Sequence, residues 1–390
     1  MSGAFARVDR EFTIGALQDL VRIDSRNPDL EAGAPGEGPL ARHLETVLGR
    51  IGWTCECYDA APGRPNVVAV RRGAGGGPSL MLNVHMDTVG TAGMADPFAG
   101  ELRDGRVLGR GAQDTKGGLA AVLGAAKALA DANARLRGDL VLAFVADEES
   151  LSVGSADVAR RHRTDAAIVL EPSDLDVCVA HRGFGVFRVA TTGRIAHGGR
   201  PDLGVDANRL MGRVLTGLDG LQAAWSAEPG HPLLGTPSLH VPLLRGGQQR
   251  FIYAGECVAE VECRTVPGQT EASVRAALQG VLDAAAAADG AFSATLEPAL
   301  WRSAWEIDPS RPIVGTVRSA VAAVRGAAPA VIGHGWWEDS ALLGEAGIET
   351  VVIGPIGGGL HTAVEWVDAA SVVDLAEILR RSALAHCGES

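Results

Sequence analysis

The sequence predicts an α/β fold with a doubly wound, mostly parallel sheet, and three observations predict it. Short and almost wholly apolar runs, which are typical of strands buried on both faces of a parallel sheet, occur at Leu80–Val84, Leu140–Val145 and Ala166–Leu170. Helical patterns alternate with these runs up to about His181. Each run is followed closely by histidine or acidic residues, and open α/β sheets place their ligands at the carboxyl ends of the strands.

A second domain is predicted inside the first, because the pattern changes after residue 183. The segment 184–298 contains, in order, a strand, a helix, two strands, a helix and a strand. This β-α-β-β-α-β order is typical of the ferredoxin-like α+β fold. We therefore predict a discontinuous catalytic domain of residues 1–183 and 299–390 and an inserted domain of residues 184–298. The free sheet edges of the inserted domain favour pairing with a second copy of the chain.

The individual elements follow from ordinary helix and strand signals. Helices are expected at Arg10–Ile23, Gly38–Ile51, Thr115–Lys127, Val205–Trp225, Thr270–Ala288, Pro312–Arg325, Ser340–Ala346 and Ala370–Ala385. Further strands are expected at Thr54–Tyr58, Asn66–Arg71, Gly185–Gly193, Leu239–Arg245, Cys257–Arg264, Phe292–Leu296 and Thr350–Ile353. The Asp-Gly pair at residues 104 and 105 predicts a hairpin turn.

Composition and charge argue against several classes of protein. The 390 residues carry a formal net charge of −12, which disfavours a nucleic-acid partner. No run approaches the roughly 18 apolar residues that a membrane span requires. The N-terminal residues lack the apolar segment of an export signal. We therefore expect a cytoplasmic protein that binds neither nucleic acid nor membrane.

Histidine and acidic residues at the strand ends are candidate metal ligands. His85 ends the first apolar run, and Asp87 follows two residues later. A metal-binding histidine needs an acceptor for its second ring N–H, and Asp87 is the obvious candidate. These two residues alone fit a His–Asp pair without a metal equally well.

More acidic residues follow along the chain. Asp114 precedes an Ala- and Leu-rich helix, where an aspartate is ordinarily an N-cap. Glu148 and Glu149 follow the second apolar run, and Glu171 follows the third. His361 comes after the strand expected near residue 350. Collected at one sheet edge, such side chains form a site for one divalent ion, or for two that share a bridging carboxylate.

The chain resembles the co-catalytic zinc amidohydrolases, a family that includes acetylornithine deacetylase, succinyl-diaminopimelate desuccinylase, aminoacylases and glutamate-releasing carboxypeptidases. Each motif is weak alone, but the ordered set covers essentially the whole chain and is specific. The motifs are His85-x-Asp87, Asp114 before Lys-Gly-Gly, Glu148-Glu149, Glu171-Pro172, Ala196-His197-Gly198 and Leu360-His361-Thr362.

The resemblance implies hydrolysis of an amide bond at two metal ions per chain. Asp114 would bridge the ions, with His85 and Glu171 on one and Glu149 and His361 on the other. Zinc is the expected metal, and Co²⁺ or Mn²⁺ would also suit these nitrogen and oxygen ligands. The resemblance further implies a cis peptide bond after Asp114.

The resemblance also implies catalytic roles outside the ligand set. Glu148 would be the general base, with Asp87 beside it in the catalytic group; an Asp-Glu-Glu run could otherwise be an exposed acidic turn. His197, in the inserted domain, resembles a family histidine that stabilises the oxyanion from the partner subunit, and this implies a homodimer. Arg264 resembles an arginine that holds the substrate carboxylate. Without the resemblance, His197 is a loop histidine and Arg264 a surface arginine.

Three features bear on the substrate. The Asn that relatives usually carry before the arginine is missing, so Arg250 or Tyr253 replaces it or the contact is absent. Trp336 and Trp337, where relatives often have small residues, either line the acyl pocket or pack in the core. Gly357 and Gly358, shortly before His361, are assigned to substrate binding.

The expected function is metal-dependent hydrolysis of the amide bond in an N-acyl amino acid or small peptide with a free carboxylate. A carboxypeptidase or dipeptidase on the same scaffold is the alternative. An inactive metal-binding homologue is disfavoured, because the complete ligand set is accompanied by the base Glu148.

Overall fold

The computed structural model describes residues 7–91 and 93–389, and these form two compact units. The first unit contains the described residues up to Val179, Ile307–Ile332, and those from Glu338 onward. The second contains Ala180–Glu306 and the short segment Gly333–Trp337. The limits predicted for the inserted domain, 184 and 298, lie a few residues inside this second unit. The segment Gly333–Trp337 was not predicted to belong with it.

Helices and strands alternate in the first unit. Its helices are α1 (Arg10–Arg22), α2 (Gly38–Arg50), α3 (Gly117–Asp131), α4 (Val153–Arg161), α7 (Pro312–Arg325), α8 (Ser340–Glu345) and α9 (Ala369–Cys387). Its strands are β1 (Cys55–Ala61), β2 (Arg64–Arg71), β3 (Leu80–His85), β4 (Glu101–Arg103), β5 (Arg106–Leu108), β6 (Leu140–Val145), β7 (Ala166–Val169), β15 (Glu349–Val352), β16 (Gly357–Gly358) and β17 (Trp366–Asp368). Strands β8 (Val177–His181) and β14 (Val331–His334) contain points where the chain passes between units.

The main sheet of the first unit has the strand order β1-β2-β6-β3-β7-β15-β8. Its four central strands, β6, β3, β7 and β15, run parallel to one another, and β1, β2 and β8 are antiparallel to their neighbours. Every residue of β3 and β6 is buried, as the apolar runs predicted. The predicted class of fold, α/β with a mostly parallel sheet, is therefore confirmed.

Alternate residues of the buried strands contact helices on the two faces of the sheet. Leu80, Leu82 and Val84 belong to the core that also contains apolar residues of α1, α3 and α9. Asn83, which points to the other face, donates a hydrogen bond to Ser155 of α4 at 3.1 Å. Helices therefore cover both faces, which leaves the strand ends as the place where polar side chains gather.

A smaller antiparallel sheet of the first unit has the order β16-β17-β5-β4. Strands β4 and β5 pair around Asp104 and Gly105, both with positive φ, which is the predicted hairpin turn. The loop between β16 and β17 carries His361.

The second unit is an antiparallel sheet with helices. Its elements are β9 (Gly183–Thr192), α5 (Ala207–Ala227), β10 (Ser238–Gly246), β11 (Glu256–Thr265), α6 (Glu271–Ala288), β12 (Ala294–Arg302) and β13 (Trp305–Glu306). Strands β9 to β12 form a sheet of order β10-β11-β9-β12, and their core includes Phe187, Val261 and Leu278. The β-α-β-β-α-β order predicted for the inserted domain is present. Among the described residues, no helix combines the length and apolarity that a membrane span would require.

Candidate metal centre

Histidine and carboxylate side chains meet at the carboxyl ends of the parallel strands of the first unit. β3 ends with His85, and Glu171 follows two residues after the end of β7. The pair Glu148 and Glu149 comes just after β6. Since β6, β3 and β7 are neighbours that run in the same direction, their ends lie side by side. The loop after β16 contributes His361.

Asp114 lies between two imidazoles, one on each of its carboxylate oxygens. His85 Nε2 is 3.0 Å from Asp114 Oδ1, and His361 Nε2 is 3.2 Å from Asp114 Oδ2. Each imidazole also faces a glutamate: His85 Nε2 is 3.6 Å from Glu171 Oε1, and His361 Nε2 is 3.4 Å from Glu149 Oε2. The arrangement consists of two His–Glu pairs that share one aspartate.

A non-helical turn places Asp114 at this position. Helix α3 begins only at Gly117, and Asp114 has φ −117° and ψ 87°, outside the helical region. The interpretation of Asp114 as an ordinary N-cap is therefore wrong. The peptide bond between Asp114 and Thr115 is cis, as the resemblance implied. Thr115 Oγ1 donates a hydrogen bond to the backbone oxygen of His85 at 3.0 Å, which joins the turn to the end of β3.

Asp87 does not hold His85 in the way expected. The nearest acceptor for His85 Nδ1 is the backbone oxygen of Asp87 at 3.0 Å, whereas the Asp87 carboxylate is 3.6 Å away. This carboxylate instead accepts hydrogen bonds from the backbone N–H groups of Glu148 and Glu149, at 3.0 and 3.2 Å. It also accepts one from Asn27 Nδ2 at 2.7 Å. Asp87 therefore orients the two glutamates after β6.

The pKa values of the side chains in this cluster reflect the number of acidic groups that lie close together there. Burial, together with the charge of Glu171, raises the pKa of Glu148 well above its ordinary value. Burial and the charge of Asp114 raise the pKa of Glu149 to about 7. Hydrogen bonds to Asp114 and Glu149 raise the pKa of His361 to about 10. Burial alone would raise the pKa of Asp114, but its hydrogen bonds with His361 and His85 hold it low. The group contains more buried negative charge than two imidazoles can balance.

The side chains present fit divalent metal ions. Ligand atoms of His85, Asp114 and Glu149 all lie within 4.8 Å of one another, as do those of His85, Glu148 and Glu171. Among the described residues, the buried Glu149 Oε1 has no hydrogen-bond partner. Imidazole nitrogens with carboxylate oxygens suit Zn²⁺ and also Co²⁺ or Mn²⁺. A cation here would also compensate the buried negative charge.

His197 belongs to the second unit, where its ring orientation is fixed locally. Its side chain is exposed, and its backbone pairs with Ile252. The backbone N–H of Gly199 donates to His197 Nδ1 at 3.1 Å. In the neutral imidazole this leaves the proton on Nε2, which is then a hydrogen-bond donor. Tyr253, the candidate replacement for the family Asn, lies close by, because its N–H donates to the backbone oxygen of Ala196 at 3.0 Å.

The other predicted substrate residues of the second unit have partners within it. Arg264 Nε is 2.6 Å from Glu262 Oε1, and its guanidinium lies over the ring of Phe184. Trp336 is 42% exposed and stacks on His334, so it is not a core residue. The guanidinium of Arg302 lies 5.3 Å from the ring centre of Trp337. The contact between Arg302 and Trp337 joins the segment Gly333–Trp337 to the rest of the second unit.

Gly357 and Gly358 form β16 in the first unit. A side chain at Gly357 would lie 2.7 Å from Gln113 Cδ, and one at Gly358 would lie 3.0 Å from Trp366 Nε1. A side chain at Gly357 would also lie 2.6 Å from the backbone oxygen of Trp366, so packing favours glycine there whether or not it contacts substrate, whereas at Gly358 a small shift of Trp366 would make room.

Sequence reasoning missed three buried residues around the centre. Asn27 links Asp87 to Asp147, through hydrogen bonds of 2.7 and 3.0 Å. Arg110 and Glu365 form an ion pair beside the turn of Asp114. The only local signal for Arg110 and Glu365 was their closeness in sequence to Asp114 and His361, and that does not indicate which residues will meet.

Comparisons with known proteins agree with the motifs. The model of Peptidase family M20/M25/M40 matches residues 81–385. The chain is 27% identical over 376 residues to N-formyl-4-amino-5-aminomethyl-2-methylpyrimidine deformylase of Bacillus subtilis, which covers 87% of this chain and 88% of that protein. It is 30% identical over 364 residues to acetylornithine deacetylase of Myxococcus xanthus, and the match covers 90% of this chain and 92% of that protein. A solved structure of Bacillus subtilis YXEP protein, a dinuclear metal binding peptidase, shares the fold, with TM-score 0.73, 16% identity, and 97% and 98% covered.

Proposed function

Because this chain belongs to Peptidase family M20/M25/M40, we propose that it is a dinuclear zinc hydrolase that cleaves the amide bond of N-acyl amino acids or small peptides with a free carboxylate. One observation carries the proposal: the two carboxylate oxygens of Asp114 face different imidazoles, and each imidazole has its own glutamate. This is the arrangement needed for two ions that share a bridging carboxylate. The acetylornithine deacetylase it resembles supports an N-acyl amino acid as substrate.

Each proposed ion has a set of residues to hold it. His85 and Glu171 would hold one ion, Glu149 and His361 the other, and Asp114 both. When bound, the ions lower the pKa of a water molecule and polarise the scissile carbonyl.

In this proposal Glu148 handles the proton of the reaction. Its carboxylate takes a proton from the attacking water and delivers it to the nitrogen of the leaving amine. The Asp87 carboxylate accepts the backbone N–H of Glu148 at 3.0 Å, which holds the residue in position after β6. Burial supports this role, because a base that is shielded from solvent keeps its proton for the substrate.

His197 stabilises the negative charge that develops on the carbonyl oxygen. The N–H of Gly199 occupies Nδ1, so the Nε2 proton is the donor for this oxygen. Because the family resemblance implies that a partner subunit supplies this histidine, we include a homodimer through the second unit in the proposal. Its edge strand β10 carries exposed Leu243 and Leu244, which supports pairing with a second copy.

Arg264 binds the free carboxylate of the substrate, and Trp336 and Trp337 line the site of the acyl group. A guanidinium fork matches the geometry of a carboxylate. The Arg264 side chain is 37% exposed, so breaking its ion pair with Glu262 in order to bind a substrate carboxylate costs little free energy. We place the enzyme in the cytoplasm, with small molecules as its only substrates.

A substrate panel tests this proposal. Zinc-loaded enzyme is offered matched N-acetyl amino acids, dipeptides, and an N-formyl amine without a carboxylate. Fastest turnover of an N-acyl amino acid supports the proposal, and fastest turnover of a dipeptide indicates the peptidase alternative. With Arg264→Ala, KM should rise for substrates that carry a carboxylate and stay unchanged for the N-formyl amine. An equal loss on all substrates would contradict the role of Arg264.

Replacing His197 with Ala should lower kcat by ~10²–10³ and leave metal content unchanged, because one hydrogen bond to the developing oxyanion is lost. If the histidine acts across the dimer, chains with His197→Ala and chains with Glu148→Gln should complement. Each mixed dimer would have one site with both defects and one with neither. The activity of each mixed dimer should then recover toward half that of a wild-type dimer. If proven mixed dimers stay inactive, the histidine does not act across the dimer.

A further inference from the structure

Arg110 and Glu365 form a fully buried ion pair beside the metal centre. Arg110 Nη1 is 2.6 Å from Glu365 Oε2, and the two side chains are only 2% and 1% exposed. The residues are 255 positions apart in the sequence. Burying such a pair costs hydration energy, which only good geometry and further hydrogen bonds can offset. Both conditions are met here. The further hydrogen bonds connect the pair to the two loops that carry the proposed ligands Asp114 and His361.

The Glu365 carboxylate holds the turn that carries Asp114. Its Oε2 accepts the backbone N–H of Gly111 at 3.0 Å, in addition to Arg110. Its Oε1 accepts the N–H groups of Gln113 and Asp114, at 3.0 and 3.2 Å. Residues 111–114 precede α3, and the backbone leaves helical dihedrals at Asp114 and Thr115, so these N–H groups lie where a helix offers no acceptor and converge on one anion. Glu365 thus accepts hydrogen bonds from three backbone N–H groups that lie before α3.

Arg110 makes the reciprocal connection, from the turn of Asp114 to the loop of His361. Its Nη2 donates to the backbone oxygen of Thr362 at 2.9 Å, and Thr362 directly follows His361. Its Nε donates to the backbone oxygen of Gly90 at 2.9 Å. The His361 side chain is itself 54% exposed, so little packing fixes it from outside. The position of His361 therefore depends on its backbone, which Arg110 holds.

We infer that Arg110 and Glu365 are positioning residues for the metal centre, setting Asp114 and His361 at the spacing that the ion between them requires. The inference rests on the proposed function, since it assigns the pair to one of the two proposed ions. Neither residue binds metal. Partners that orient metal ligands in this way typically change metal affinity by ~10–100-fold when they are replaced.

The test measures metal binding directly in Glu365→Gln. Glutamine keeps the size of the side chain, but its NH₂ group cannot accept the N–H donors that one carboxylate oxygen accepted. Titration with Zn²⁺ should show the ion of Glu149 and His361 bound ~10–100-fold more weakly. The other ion shares only Asp114 with it and keeps His85 and Glu171, so its affinity should fall less. Co²⁺-loaded protein should show a changed visible absorption spectrum. Arg110→Lys keeps the positive charge but loses the forked guanidinium, so it should weaken the binding of the same ion.

Glu377→Gln is the matched control. Glu377 of α9 is also a partly buried carboxylate with arginine partners, since it accepts Arg380 Nε at 2.8 Å and Arg380 Nη2 at 2.7 Å. Among the described residues its hydrogen bonds stay within α9, so its replacement should reduce thermal stability and leave both ions bound normally.

The outcomes separate this inference from the proposed function. If wild type binds two ions and Glu365→Gln binds both with unchanged affinity, the inference is overturned alone. The same holds if Glu377→Gln loses the ion of Glu149 and His361 equally, because the effect is then one of general stability. If Glu365→Gln does not fold, Arg110→Lys decides by the same titration. If wild type itself binds fewer than two ions, the proposed dinuclear centre is wrong and the inference falls with it.

Discussion

Exhaustive chelation is expected to abolish hydrolysis completely, and Zn²⁺ or Co²⁺ should restore it. Without cations, the buried carboxyls Glu148, Glu149 and Glu171 have pKa values raised by burial and by their neighbours' charges. They therefore take up protons, and the water that must attack the amide is no longer activated. Measurement of activity and bound metal in parallel, at each step of readdition, tests this expectation.

Metal removal should also lower the unfolding temperature. An ion that binds only the folded chain stabilises it, by ~2.7 kcal/mol when its free concentration is a hundred times Kd. Readdition of Mg²⁺, which prefers oxygen ligands only, serves as the control and should restore little activity. Full activity in protein shown to be free of metal would contradict the dinuclear mechanism.

Replacing Glu148 with Gln should lower kcat by ~10²–10⁴, which corresponds to about 3–5 kcal/mol of transition-state stabilisation. Glutamine has almost the same shape and cannot accept the proton from water. The backbone N–H of residue 148 still reaches Asp87, so the segment after β6 should keep its position. Metal content should therefore stay at the wild-type value, and KM should change little.

Glu149→Gln is the matched comparison for this variant. The two glutamates are adjacent, and the backbone N–H of each donates to Asp87. Only Glu149 faces His361, at 3.4 Å, so its replacement should reduce metal binding. If Glu148→Gln loses metal and Glu149→Gln keeps it, the roles of the two residues are the reverse of those proposed.

The family and the class of fold were both predictable from local patterns. Three almost wholly apolar runs indicated the buried strands, because a strand covered on both faces has few polar positions. The ordered motifs from His85 to His361 indicated the family. Since parallel strands end at a common edge, the same patterns also predicted that the residues after β3, β6 and β7 would lie together. The structure places them together.

Contacts between distant segments were not predictable in this way. Local signals left an N-cap role open for Asp114 as the alternative to a metal ligand, because nothing local shows that α3 begins only at Gly117. They also paired the Asp87 carboxylate with His85, whereas folding brings the N–H groups of Glu148 and Glu149 closer to it. The role of each side chain therefore depends on which hydrogen-bond donors the fold brings within hydrogen-bonding distance.

The sequence by itself therefore determined the architecture and the chemical character of the strand ends, because buried strands and ordered motifs are local properties. Only the folded chain decided how the ligand loops are held. Arg110 and Glu365 are separated by 255 residues, and a charged residue in a loop is ordinarily exposed. Their burial follows from a need for hydrogen-bond and charge partners, and no local sequence pattern shows that need. Unpaired N–H groups in the turn of Asp114 need an anion, and an anion buried there needs an arginine.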